Sequence, residues 1–137
     1  MEFRRSGARS DIGWALACSG MAAVGLKDLS QARQNLAEVL QLALQFRHHS
    51  MPKYVLLGAA MLAAEEARAA RAVELWTVAS SHISLFTTAR SYQDIYRQRI
   101  APVAETLSPE VAAAAQERGR DKEVWATLEE LQTDLTP

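Results

Sequence analysis

The chain has 137 residues, with 15 lysines and arginines against 16 aspartates and glutamates, so its formal net charge is −1. That length suffices for one domain with a sizeable core, and the balanced charge excludes the basic footprint of a nucleic-acid-binding protein. No apolar run approaches the roughly 20 residues that a membrane-spanning helix needs. Cys18 is the single cysteine, which excludes an internal disulfide framework. We therefore expect a cytoplasmic protein that contacts neither DNA nor a membrane.

Helical periodicity runs through the whole sequence. No segment alternates apolar and polar residues for long enough to predict a strand. Pro102 is expected to kink the fifth predicted helix, and Ser108 with Pro109 is a typical helix start. The sixth helix is expected to end at Gly119. In chain order, the predicted helices cover approximately 12–25, 29–47, 52–66, 69–83, 92–107, 109–119 and 121–135.

A step of 40 residues relates three segments of the chain. Ala32, Ala72 and Ala112 follow it, and other apolar positions align with the same step. The pattern predicts an all-α, tetratricopeptide-like α-α superhelix of about three helix pairs plus a C-terminal helix, within a single domain spanning 1–137. The standard motif has a period of about 34 and a turn glycine, whereas Lys27 and Ala67 stand where that glycine is expected. The alternative is a plain helical bundle whose alanine spacing is accidental. The predicted units cover about 11–50, 51–90 and 91–120, followed by a C-terminal helix at about 121–135.

The first residues contain a segment that matches the end of a later helix. Glu2, Phe3 and Arg4 correspond to Gln45, Phe46 and Arg47, which close the second predicted helix. Residues 1–10 are therefore interpreted as the remnant of a preceding helix or as a tail. On this interpretation the chain is a fragment of a larger protein. The alternative is an expression tag or a frayed natural start.

Several stretches resemble a known group of proteins. These are EFRRSGARSDIGWAL (2–16), RAVELWTVAS (71–80), VAAAAQERGR (111–120) and WATLEEL (125–131). They are similar to the C-terminal tetratricopeptide-like region of bacterial multidomain signalling ATPases, which are joined to LuxR-type or other transcriptional regulator domains or to nucleotide cyclases. The resemblance implies a sensing role, in which the region binds an effector or protein partner or holds the ATPase shut. No phosphate-binding loop ending in Gly-Lys-Ser/Thr is present, so ATP chemistry is assigned to no residue.

Residues that could carry catalysis or bind metal are scattered. His48 and His49 are adjacent and lack the spacing that directs two ligands at one metal. Cys18 lies among alanines and is expected to be a small core residue. The pairs Glu65-Glu66 and Glu129-Glu130 are interpreted as solvated helix faces. We therefore expect no enzyme activity, no metal and no cofactor.

The predicted concave face of the array is the better candidate for a site. Its aromatic, Met and other apolar residues would form a stripe suited to a protein or peptide partner, which the resemblance extends to the ATPase domain of the same polypeptide. An alternative is that the stripe is covered core. A second function compatible with the sequence is a small-molecule effector site in an apolar pocket between the first, third and fifth predicted helices. Exposed array ends would also permit a homodimer. The stripe consists of Trp14, Ala17, Met21, Val24, Tyr54, Leu57, Met61 and Ala64.

Overall fold

The structure, a computed structural model, describes residues 23, 26–47, 51–82, 94 and 96–135. Most of these residues are helical and none lies in a strand, which confirms the all-α prediction for this part of the chain. Six α-helices and one π-helical turn are present among them. They are α1 (Leu29–Phe46), α2 (Met51–Glu65), α3 (Ala69–His82), the π-helical turn (Tyr96–Ile100), α4 (Ala101–Ala104), α5 (Pro109–Asp121) and α6 (Val124–Leu135).

α2 lies at the centre of the described helices. It packs against α1, α3, α6 and the π-helical turn, and every residue from 55 to 64 is buried. A helix that is apolar on all sides has to be covered on all sides, and the sequence VLLGAAMLAA has no polar face to leave in water. Gly58 permits the close approach of α1, because a Cβ atom there would overlap a methyl group of Leu36.

The same turn occurs twice, 40 residues apart. Lys27 has φ 63° and Ala67 has φ 61°, so both adopt the left-handed conformation that usually selects glycine. After each of them a backbone N–H donates to a carbonyl five residues earlier, from Asp28 to Ala23 and from Arg68 to Ala63, at 2.8 Å in both cases. The predicted repeat step therefore recurs in the backbone geometry of the turns that precede α1 and α3. Both positions where the sequence lacks the expected glycine therefore carry this strained conformation, as does Arg47 after α1, with φ 51°.

The fifth predicted helix is interrupted where its proline predicted a kink. Residues 96–100 form a π-helical turn, and the four-residue helix α4 begins directly after it, with Pro102 in its first turn. Proline cannot donate a backbone hydrogen bond, so a regular helix is not continued through it. The helix then ends at Ala104 rather than at the predicted Leu107.

The last two helices differ from their predicted limits. Ser108 caps α5 as predicted, because its side chain accepts a hydrogen bond from the Val111 N–H at 3.3 Å. The prediction that Gly119 ends this helix is wrong, since α5 continues to Asp121. Gly119 is a contact residue, and a Cβ there would lie 2.6 Å from the carbonyl oxygen of Glu74. The final helix begins at Val124 rather than near 121, with Glu123 accepting hydrogen bonds from the first helical N–H groups.

α6 folds back along the chain and packs on α1 and α2. Its buried residues Thr127, Leu128, Leu131 and Leu135 recur at helical spacing and face the common core. No helix within the described ranges combines the length and the apolar character needed to cross a bilayer.

Candidate functional site

The residues of the predicted stripe lie in two different situations. Leu57 is 1% exposed, Met61 is 6% exposed and Ala64 is also buried, so these three side chains belong to the core around α2. Tyr54 lies in the first turns of α2, and its side chain is outside the described part. Trp14, Ala17, Met21 and Val24 also lie outside the described residues. Three of the eight residues are therefore buried in the described part of the chain, and the predicted groove as a whole stays a prediction.

A buried carboxylate at the interface of α3 and α5 is the centre of a charged cluster. The side chain of Glu74 is 6% exposed and lies between the buried residues Val73 and Leu75. It forms an ion pair with Arg71 one turn earlier and accepts a hydrogen bond from Arg118 Nε at 2.9 Å. Lys122 Nζ lies 3.4 Å from the same carboxylate. Three cations from two helices thus surround one buried anion.

α6 supplies further anions to the cluster. Arg71 Nη2 donates to Asp134 Oδ2 at 3.0 Å, and Lys122 Nζ donates to Glu130 Oε1 at 2.8 Å. Charges from α3, α5 and α6 are therefore joined in one network. The network joins helices that are far apart in sequence, and the i,i+3 spacing of Arg71 and Glu74 was the one local signal of it. Glu129 and Glu130 are exposed, as their interpretation as a solvated helix face predicts, although Glu130 also takes part in this network. Glu65 and Glu66 were interpreted in the same way but are half-buried.

Arg33 extends the network to α1. Its Nη1 donates to the backbone oxygen of Asp134 at 2.6 Å, and its Nη2 donates to Glu66 Oε2, also at 2.6 Å. One guanidinium thereby connects α1, the end of α2 and the last turn of α6. Arg33 also borders an open groove, so the charged cluster and the groove share this side chain.

The ionisation of the buried pair follows from these contacts. Burial alone would raise the pKa of Glu74, but hydrogen bonds from Arg71 and Arg118 and the charges of Arg71 and Lys122 outweigh it and lower this pKa below its ordinary value. Burial likewise opposes the charge of Arg71, yet hydrogen bonding and the negative charges of Glu74 and Asp134 raise its pKa. Both groups are therefore charged at neutral pH.

The ion pairs of the cluster connect α3, the end of α5 and α6. A general base works best with a pKa near the operating pH, and the lowered pKa of Glu74 moves it away from that range. Its carboxylate is enclosed by cations that belong to the same fold. Within the part of the chain that the structure describes, no group of three or more His, Cys, Asp or Glu side chains is placed to hold a metal ion.

An open groove lies between α1 and α6. It has a volume of about 610 Å³, within the range of ligand-binding clefts. Its floor is apolar, formed by Ala37, Leu40 and Leu135, while glutamine and charged side chains form its rim. The rim residues include Ser30, Arg33, Gln34, Glu38, Gln41 and Gln132. This mixture of an apolar floor and a rim of donors and acceptors is suited to binding.

Comparison of the chain with known protein families, with curated proteins and with solved structures finds no match. The resemblance to the helical region of signalling ATPases therefore stays a prediction, as does the division of residues 1–137 into repeat units of one domain.

Proposed function

We propose that the chain is a non-enzymatic protein-interaction module of the tetratricopeptide-like kind, whose groove between α1 and α6 receives a polypeptide segment of a partner protein. The observation that carries this proposal is the groove itself, which has an apolar floor and a rim of amide and charged side chains. The recurrence of the turn geometry after 40 residues supports the helical-repeat part of the proposal.

The chemistry of the rim fits a peptide main chain. Gln34 and Gln41 lie two helical turns apart on α1, about 10 Å along the helix axis. Each glutamine offers both a donor and an acceptor, which is what a peptide unit with its N–H and C=O requires. An extended segment of about three residues covers that distance. Ala37, which is half-buried, lies between the two amides and would contact an apolar side chain of the segment.

The sequence resemblance suggests where such a partner belongs. In the signalling ATPases that the chain resembles, a helical region of this kind senses a partner or restrains the ATPase. We infer that the bound segment comes from another domain of such a signalling system. A sensing role of this type needs binding and release, which an open groove permits.

Site-specific photo-crosslinking tests the proposal. A photoreactive phenylalanine analogue replaces Gln41 in the groove, and a matched protein carries it at Ala113, an exposed position on α5. Expressed in the native cells, the Gln41 protein is expected to give a discrete adduct that the Ala113 protein does not give. Ala37→Arg, placed on the groove floor, should abolish that adduct while the far-ultraviolet circular dichroism is unchanged. Equal adducts from both positions, or none from Gln41, would reject the groove as the binding site.

A further inference from the structure

A second pocket lies between α3, the π-helical turn and α5. It has a volume of about 290 Å³ and shares no described residue with the groove between α1 and α6. This volume is at the small end of ligand-binding pockets, which suits a compound of one or two rings. π-Helical turns are rare, and they are found disproportionately at functional sites.

Two aromatic side chains form one wall of this pocket. The ring centroids of Trp76 and Tyr96 are 5.4 Å apart, and the ring planes are inclined at 43°. Both side chains are half-buried, so part of each ring still faces the pocket. Tyr96 is the first residue of the π-helical turn, and this turn presents its ring to Trp76 on α3. Such a wall favours a flat, apolar body that can stack on it.

The opposite rim, in the part that the structure describes, is polar and contains no acidic group. Gln116 and Arg120 lie one turn apart on the same face of α5, and both border the pocket. Ser81 is exposed at its mouth on α3. Among the described residues that border the pocket, none is an aspartate or a glutamate. The guanidinium of Arg120 has five N–H donors in a fork that matches a carboxylate, so it can serve an anion in addition to a partner within the protein.

We propose that this pocket binds a small planar aromatic carboxylate. The ring stacks on Trp76 and Tyr96, and the carboxylate accepts hydrogen bonds from the guanidinium of Arg120 and the amide of Gln116. The ligand then bridges α3 and α5 on the side opposite to the charged cluster. The inference is independent of the proposed protein-binding groove, because the two sites have different residues and different ligands.

Binding of 2-naphthoate, with the uncharged and similarly shaped 2-naphthamide as its control, tests the proposal by NMR titration of ¹⁵N-labelled protein. The chain has three tryptophans, so the indole N–H signal of Trp76, assigned with Trp76→Phe, is compared with those of Trp14 and Trp125. We expect 2-naphthoate to shift the Trp76 signal and to bind about tenfold more tightly than 2-naphthamide. Equal affinities for the two compounds, or no binding of 2-naphthoate at millimolar concentration, would overturn the proposal.

Two arginine variants locate the carboxylate. Arg120→Gln is expected to weaken 2-naphthoate binding about tenfold and to leave 2-naphthamide binding unchanged. Arg97→Gln is the matched control, because Arg97 is exposed in the neighbouring π-helical turn and its ion pair with Asp94, at 3.5 Å, lies at the surface. If both variants weaken binding equally, the attraction is a general charge effect and the assignment is wrong.

A blocking variant tests the place of binding without altering the core. Ser81→Trp adds an indole ring at an exposed position at the pocket mouth. We expect it to remove the shift of the Trp76 signal while the circular dichroism spectrum stays the same. If 2-naphthoate binds a folded Ser81→Trp protein with wild-type affinity, it binds elsewhere and the proposal fails.

Discussion

The interface between α3 and α5 is closed around Glu74 and Gly119, beside the pocket at Trp76, whereas the interface between α1 and α6 is open along one side. α5 buries only Ala115 and Gly119 among its residues, yet a Cβ on Gly119 would already lie 2.6 Å from the backbone of α3. α6 contacts α1 through Arg33 at one end and, at the other, through Arg47, whose guanidinium lies 4.8 Å from the ring centroid of Trp125. A groove of about 610 Å³ remains alongside these contacts.

The difference shows how a small helical protein can hold itself together with little apolar burial in one place and leave room in another. At the closed interface, a helix with few buried residues is held by close backbone contact and by ion pairs to Glu74. At the open interface, Gln34, Glu38 and Gln41 extend from α1 into the groove and remain solvated. Changes at the closed interface should therefore cost stability, and changes at the open one should cost binding.

The largest loss is expected from truncating the buried carboxylate. Glu74→Ala leaves Arg71, Arg118 and Lys122 without their shared anion, and removing one partner of a buried ion pair costs about 3 kcal/mol. Urea unfolding measures the change in the free energy of unfolding. Glu65→Gln is the control, because Glu65 pairs with Arg99 at 3.5 Å in a more exposed place, where we expect a loss of at most about 1 kcal/mol. Similar losses for both variants would show that the closed interface does not depend on this cluster.

The charge of Glu74 should make part of that stability dependent on pH. Its pKa is lowered in the folded protein, so its contribution is complete above the unfolded-state pKa of about 4.3 and is lost as the pH falls through the lower folded-state value. The difference in unfolding free energy between wild type and Glu74→Gln is therefore expected to be constant near neutral pH and to shrink below about pH 4. Urea titrations across this range measure it. A difference that grows on acidification would contradict the assigned direction of the pKa shift.

Two glycines lie against neighbouring helices, Gly119 against a backbone carbonyl and Gly58 against a side chain. A Cβ at Gly119 meets the carbonyl of Glu74, which cannot move away, and we expect Gly119→Ala to cost about 2 kcal/mol through overpacking. A Cβ at Gly58 meets only the end of the Leu36 side chain, which can rotate, so Gly58→Ala should cost less, about 1 kcal/mol. Thermal and urea unfolding measure the change in the free energy of unfolding for each variant. A larger cost at Gly58 would mean that α1 is held more rigidly than α5.

Local patterns in the sequence were enough to predict the described helices but not what joins them. The limits of α1, α2 and α3, the cap at Ser108 and the interruption near Pro102 all follow from short-range chemistry, and the structure confirms them. Gly119 was misassigned as a helix end, because a glycine in a helix also marks a place where another backbone comes close. Only the position of α3 relative to α5 distinguishes the two meanings.

The candidate sites could not be predicted from the sequence either, because they depend on how distant helices lie relative to one another. Arg118, Lys122 and Glu130 have the composition of solvated helix faces, and nothing local shows that the first two converge on Glu74, 44 and 48 positions away in the sequence. The groove depends on where α6 folds back on α1. The repeat step was visible in the alanine spacing, but its strongest structural expression, the left-handed turns at Lys27 and Ala67, concerns backbone dihedral angles rather than side-chain type.

The left-handed turns at Lys27 and Ala67 have the same backbone geometry. The first precedes α1, which forms the open interface, and the second precedes α3, which forms the closed one. Lys27→Gly and Ala67→Gly should each raise the free energy of unfolding by about 1 kcal/mol, because glycine removes the strain of a left-handed L-residue. Ala70→Gly, within α3, is the control and should lower it by about 1 kcal/mol. Urea midpoints distinguish the signs. If the two variants raised the free energy of unfolding by different amounts, the turns themselves would contribute to the difference in stability between the two interfaces.

The smallest stability change is expected at the groove rim, where the effect should appear in binding instead. Gln34→Ala removes an exposed amide from α1 and should change the unfolding free energy by no more than about 0.5 kcal/mol. If that amide binds a peptide group of the partner, the lost hydrogen bond, worth about 1 kcal/mol, weakens the complex about fivefold. The yield of the adduct formed from the photoreactive residue at position 41 measures this loss. A destabilised Gln34→Ala protein would show that the rim supports the fold. An unchanged adduct yield would show that this amide takes no part in binding. Either result would contradict the contrast between an interface that stabilises the fold and one that binds a partner.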